Sequence, residues 1–139
     1  MEQSVREQLI PIAKKYPLDD LRETLRKINE IQSVPVMIEY LMLHKLNDTP
    51  ECGEKLIRWL DGLNVHLNLI PYNPIADADH LVASSSEQIG EFAQQLKSAG
   101  IKTTTRYSLG KDIAAACGQL VQQENRRIAK TLSLQMPVQ

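Results

Sequence analysis

Two residues stand out for the chemistry that their surroundings permit. Cys117 lies in DIAAACGQL, Asp112 to Leu120, behind three alanines and ahead of Gly118. A packed core normally fills such positions with Leu, Ile or Val, whereas tiny side chains clear room for another molecule beside the sulfur. Arg106, Lys111 and Asp112 share the loop that leads to it, and a thiolate near cations has a lowered pKa and becomes a nucleophile. The plainer reading, a small buried hydrophobe, is the commoner fate of a cysteine among alanines. Asn73 lies in IPYNP, between Pro71 and Pro74. The prolines fix the backbone, and the Asn73 amide can both donate to and accept from a ligand. The same residues would also serve as an ordinary turn after a strand.

The other reactive side chains give weaker signals. Cys52 falls in the first turn of a helix and reads as an incidental helix residue. His66 alternates with Val65 and Leu67 and reads as a structural histidine on a strand. His44 stands at a strand end with nothing in the sequence to pair with it. The two cysteines lack CxxC spacing, so the chain offers no zinc or iron–sulfur motif of its own. It also lacks a glycine-rich phosphate loop and a serine-nucleophile motif. In NRRIAK, Arg126, Arg127 and Lys130 form one basic element, either a solvated helix face or a local patch for RNA phosphates.

These residues must be positioned by regular elements, and the apolar spacing shows which. Leu18, Leu21, Leu25, Ile28 and Ile31 mark one face of a helix, with Asp19 and Asp20 in its first turn. Val34–Leu43 is a strand-length apolar run with few polar positions, which predicts burial on both faces. Thr49 and Pro50 then start a second helix as cap and first residue. Asn64–Tyr72 reads as the next strand. Ser84 and Glu87 have capping-box spacing ahead of a helix carrying Ile89, Phe92, Ala93 and Leu96. Gly100 ends that helix, and Ile101–Tyr107 reads as a third strand. A final helix is expected near Val121–Leu134. This alternation predicts an α/β fold with a parallel sheet of about three to four strands and functional loops where the strands end. Three strands cannot close a barrel, so the sheet edges need a cover, in a larger assembly or through self-association.

Composition narrows the possibilities. A length of 139 residues suits a single domain, residues 1–139, and is enough for a proper core. The net charge of −1 supplies no global attraction to nucleic acid or membrane, so any polyanion contact has to be local. Aromatic residues make up only 4%, too few for a stacking platform for single-stranded RNA. No stretch has the length of a membrane span, and the first eight residues are too polar for a secretory signal, so a cytoplasmic location with free thiols is expected.

Taken together, LNLIPYNP and, 44 residues after Asn73, the cysteine of GKDIAAACGQL resemble the C-terminal part of the radical SAM adenine methyltransferases of the RlmN/Cfr type. The resemblance extends through REQLIPIAKKYPLDDL, IEYLMLHKLNDTPE and KTTTRYSLGKDI, and so through most of the chain. It implies a partial (β/α) barrel, with Cys117 as the methyl-accepting cysteine and Asn73 as a contact to S-adenosylmethionine. In that family a radical made from a second cofactor molecule takes hydrogen from the methylated cysteine. The resulting methylene radical attacks an adenine ring carbon of 23S rRNA, or of tRNA for some members. The small residues around Cys117 would then give a thioether room to meet both cofactor and base.

The departures are equally specific. The family's CxxxCxxC motif for a [4Fe–4S] cluster, its glycine-rich cofactor segment and its second catalytic cysteine do not occur here. The expectation is therefore the part of such an enzyme that carries the methyl handle without the cluster-binding half, inactive by itself. Two other readings remain open: a non-enzymatic remnant that binds RNA or a partner through Arg126–Lys130, and a thiol enzyme that uses Cys117 without a cluster.

Overall fold

A computed structural model describes residues 2–74, 78 and 80–106. The chain opens with α1 (Gln3–Leu9), a 3₁₀ turn (Pro11–Lys14) and α2 (Leu18–Ile31). It continues through β1 (Val36–Met42), α3 (Pro50–Leu60), β2 (Val65–Pro71), α4 (Ser86–Ser98) and β3 (Lys102–Thr105). The three strands form one sheet in the order β1-β2-β3, and both pairings are parallel. The expected α/β alternation is therefore present, preceded by α1 and the 3₁₀ turn, which periodicity alone does not reveal. The last helix expected near Val121–Leu134 lies outside the described residues.

Both crossover helices lie against the same side of the sheet. Leu67 and Leu69 of β2 are fully buried, in one cluster with Leu56 and Leu60 of α3 and Ile89, Phe92 and Leu96 of α4. Tyr40 and Phe92 stack within it, their ring centroids 5.7 Å apart. Strand side chains alternate between faces, so Met37, Glu39 and Leu41 of β1 point the other way. Met37 is 59% exposed and Leu41 41%. The expectation that this strand is buried on both faces is thus corrected: the helix layer covers one face only among the described residues.

Helix starts follow their chemistry. The Thr49 side chain accepts a hydrogen bond from the Cys52 N–H, and Pro50 occupies the first position of α3. At α4 the capping box is one residue later than the Ser84–Glu87 spacing suggests. Ser85 accepts from the Gln88 N–H and Gln88 reaches back to Ser85, whereas Ser84 is buried. In α2 only Leu18 and Leu25 of the apolar stripe are buried, and Ile31 is 86% exposed. This helix is anchored instead by Arg22, which donates to the carbonyls of Trp59 and Asp61 at 2.9 and 2.7 Å and so caps the C-terminal end of α3. Asn29 and Asn64 exchange two further bonds beside the start of β2.

Truncating the centre of this core should be expensive. Leu67→Ala is expected to lower unfolding stability by about 2–5 kcal/mol in a urea titration, the usual range for a fully buried leucine.

Candidate functional site

Parallel strands present their C-terminal ends on one rim, where sheets of this kind place their ligand-binding loops. On this rim stand Leu43 and His44 after β1, Tyr72 and Asn73 after β2, and Arg106 after β3. The Arg106 N–H still donates to Leu69 O at 2.8 Å, so the ladder continues one residue beyond β3. Asn73 is half-buried, and its side chain forms no hydrogen bond among the described residues. A part-buried amide without a partner, at the end of the central strand, can take both a donor and an acceptor from a ligand.

The loop after β1 is built around two side chains. Asn47 accepts from the Leu43 N–H at 2.8 Å and donates to Leu41 O at 2.7 Å, and its carbonyl accepts from the Tyr40 hydroxyl. Burial pushes the Tyr40 phenol well above its ordinary pKa, so it remains a donor at every physiological pH. Lys45 has φ 59°, a left-handed conformation that costs a lysine about 1 kcal/mol or more. Asp48 holds it there. The Asp48 side chain is fully buried, and its Oδ1 accepts from the Lys45 N–H at 2.8 Å. Its Oδ2 lies 3.4 Å from His44 Nδ1, which is 3.1 Å from Gln88 Oε1. His44, without a partner in the sequence, therefore has two in the fold. They orient its ring and link the β1 loop to the start of α4. The His44 N–H donates to Val82 O at 2.8 Å, which brings the segment before α4 against the same rim.

On the uncovered sheet face beneath the rim, polar side chains of β2 and β3 bond to one another, beside the exposed Met37 and Leu41 of β1. Thr104 donates to Asn68 Oδ1 at 3.1 Å, which uses its one proton, so His66 Nε2 at 3.0 Å carries the hydrogen and donates to Thr104. His66 is thus a satisfied strand histidine, as its alternation indicates. Arg106 and Glu39 form an exposed ion pair at 3.8 Å across the same face. Sequence reading does not single out Glu39, Asn68 or Thr104, because an alternating polar residue on a strand looks like solvent exposure until the register aligns the strands.

Cys52 lies on α3 beside the core, on the helix-covered side, away from this polar face. Among the described residues its one hydrogen bond through sulfur is a long one to Leu46 O. Cys117, Arg126, Arg127 and Lys130 lie outside the described residues. Among those that are described, no three His, Cys, Asp or Glu side chains are grouped to hold a metal ion. No helix among them is long and apolar enough to cross a membrane.

The chain is similar to known proteins over most of its length. The chain is 52% identical over 128 residues to a probable RNA methyltransferase of Rhodopirellula baltica, a match covering 92% of this chain and 34% of that protein. It is a relative of the RlmN-type RNA methyltransferases. A probable dual-specificity RNA methyltransferase RlmN of Synechocystis is 40% identical over 128 residues, again 92% of this chain, and 36% of its own length is matched. Among solved structures, a radical SAM methyltransferase from Sphaerobacter thermophilus superposes with a TM-score of 0.79 at 40% identity, over 84% of this chain and 34% of that one. A domain of a pyruvate-formate lyase-activating enzyme from Bacteroides vulgatus, 20% identical with a TM-score of 0.59, shares the fold. No family model matches the chain. The chain spans about a third of the length of the curated relatives that it matches.

The β1 loop supplies the test of this geometry. Asp48→Ala should cost about 1–3 kcal/mol in denaturant unfolding, because the Lys45 N–H loses its buried acceptor and the left-handed turn its brace. Asp48→Asn keeps an oxygen for Lys45 and should retain most of that stability.

Proposed function

We propose that this chain is the methyl-carrying part of an RlmN-type radical SAM methyltransferase acting on an adenine of 23S rRNA, or of tRNA. On this reading residues 1–139 form one unit, the C-terminal portion of the partial barrel. The observation that carries the reading is the 52% identity to an RNA methyltransferase over nearly the whole chain. The open parallel sheet, with Asn73 at its rim, agrees with it.

The residues present fit one of the two groups that such a reaction needs. A [4Fe–4S] cluster does not fit, because the chain has only two cysteines, separated in sequence by 64 residues, and no CxxxCxxC motif. S-adenosylmethionine fits better, since Asn73 offers an unpartnered amide on the ligand-binding rim. When bound, that cofactor supplies an electrophilic methyl group. Asn73 would hold it by donating to and accepting from its polar groups. Cys117 would lose its thiol proton to solvent and take the methyl group as a thioether, the cofactor leaving as S-adenosylhomocysteine, and the alanines before it would leave room for that larger sulfur. Arg126, Arg127 and Lys130 would contact RNA phosphates, which position a substrate without reading its sequence. The activity belongs to the chain together with a cluster-binding segment. The chain alone is expected to be inactive.

Intact-mass and peptide analysis of the chain, produced in cells within a cluster-bearing full-length enzyme, should show one added methyl on Cys117. An unmodified Cys117 in that protein would sink the carrier role. Asn73→Ala should weaken S-adenosylmethionine binding about tenfold or more by calorimetry, the loss of two ligand hydrogen bonds at about 1 kcal/mol each.

A further inference from the structure

Arg106 brings a permanent positive charge to the rim where β3 ends. Its backbone is held like that of a strand residue, because the Arg106 N–H donates to Leu69 O at 2.8 Å. From there the chain runs into the segment that carries Cys117. Beyond the pair Leu69↔Thr105, Arg106 falls level with Ile70. Glu39 lies one row further from the rim, level with Asn68 and Thr104. Residues level with one another in neighbouring strands point to the same side, so both charged side chains stand on the uncovered face.

With β2 between them, the two backbones are separated by two strand spacings, about 10 Å, so the side chains meet only by reaching across β2. Arg106 also turns back from the rim to do so. The contact that results is a poor one. Its nitrogen–oxygen distance is 3.8 Å, against about 2.7–2.9 Å for a charge-assisted hydrogen bond, and both side chains are half exposed. An exposed pair of this kind contributes little to stability. A phosphate offers the same guanidinium two short parallel bonds. Exchanging Glu39 for a phosphate therefore gives up a weak contact and forms a strong one.

We infer that Arg106 rests on Glu39 in the free chain and exchanges it for a backbone phosphate of the substrate RNA, beside the nucleotide that Cys117 must reach. The inference rests on the proposed function for RNA as the source of the phosphate. A chain with a net charge of −1 has to meet a polyanion through particular side chains, and Arg106 is placed for it. A nucleotide drawn out of its stack brings its own phosphates to the protein. The rim is then divided between the strands, with Asn73 at the end of β2 for the cofactor and Arg106 at the end of β3 for the RNA. Such a phosphate contact positions the substrate without reading its sequence. Glu39 acts as the competing anion that holds the guanidinium until RNA arrives.

RNA binding by the chain within a cluster-bearing full-length enzyme tests this. The probe is a hairpin RNA with an unpaired adenine in its loop, followed by fluorescence anisotropy over a series of salt concentrations. Arg106→Gln should weaken binding about tenfold and lower the slope of log affinity against log salt by about one. Arg106→Lys keeps the charge but not the fork, so the slope should stay while part of the affinity is lost. Glu39→Gln removes the competing anion and should tighten binding about two- to fivefold, the worth of an exposed ion pair. Damage to the fold could not produce that gain. An unchanged slope in Arg106→Gln, or weaker binding in Glu39→Gln, would overturn the inference. So would a loss in Arg106→Gln confined to S-adenosylhomocysteine, which would make the anion the cofactor's carboxylate. Methylation of Cys117 is read by mass without RNA, so the carrier role and this contact fail separately.

Discussion

The pairing of β2 on both of its sides is the constraint from which the rest of the molecule follows. Its even-numbered residues bond to β1 and its odd-numbered ones to β3, in parallel registers that run from Val36↔Val65 and from His66↔Lys102. A parallel neighbour cannot be reached through a tight turn, so each pairing requires a helix-bearing crossover. Those crossovers are α3 and α4, and Val65, Leu67 and Leu69 pin both to one face. With the helices on that side, the other face is left for His66, Asn68 and Thr104, and all three strand ends share one rim. The polar cluster on that face, the shared rim of strand ends and the open edge of β1 are therefore products of a single register.

The loop from His44 to Thr49 shows how local strain and function sit side by side. A left-handed Lys45 would be unfavourable alone, and Asp48 offsets it by taking the Lys45 N–H in a buried site. Asn47 meanwhile acts as a short surrogate strand, satisfying one carbonyl and one N–H of the β1 edge. The two neighbouring residues thus divide the work. One fixes the turn that carries His44 to the rim, and the other satisfies backbone groups at the end of β1.

Much of this was legible before any coordinates. Thr49–Pro50 is a helix start for reasons of backbone chemistry, and the fold places it as the spacing indicates. The alternation of helical and β-branched segments implies parallel strands, and these are found. Sequence and fold differ where two neighbouring residues offer the same chemistry. Ser84 and Ser85 both precede acceptable N3 residues, and burial of Ser84 selected Ser85 as the cap. The apolar run from Val34 to Leu43 reads as buried on both faces because hydropathy does not say which neighbours are present. Met37 and Leu41 are exposed because no described element packs over them.

The sequence by itself determined the class of the fold and the resemblance to RlmN-type enzymes. Caps, β-branched runs and the IPYNP and AAACG motifs are local, and their chemistry is readable from neighbours along the chain. It also determined that two cysteines without CxxxCxxC spacing cannot hold the family's cluster. Only the tertiary structure decided that His44 meets Asp48 and Gln88, that His66 meets Thr104, and that the β1 edge opens onto an apolar cavity beside Trp59. Two of these contacts join residues 44 and 38 positions apart. Register and helix placement set such distances, and no periodicity within one segment carries that information.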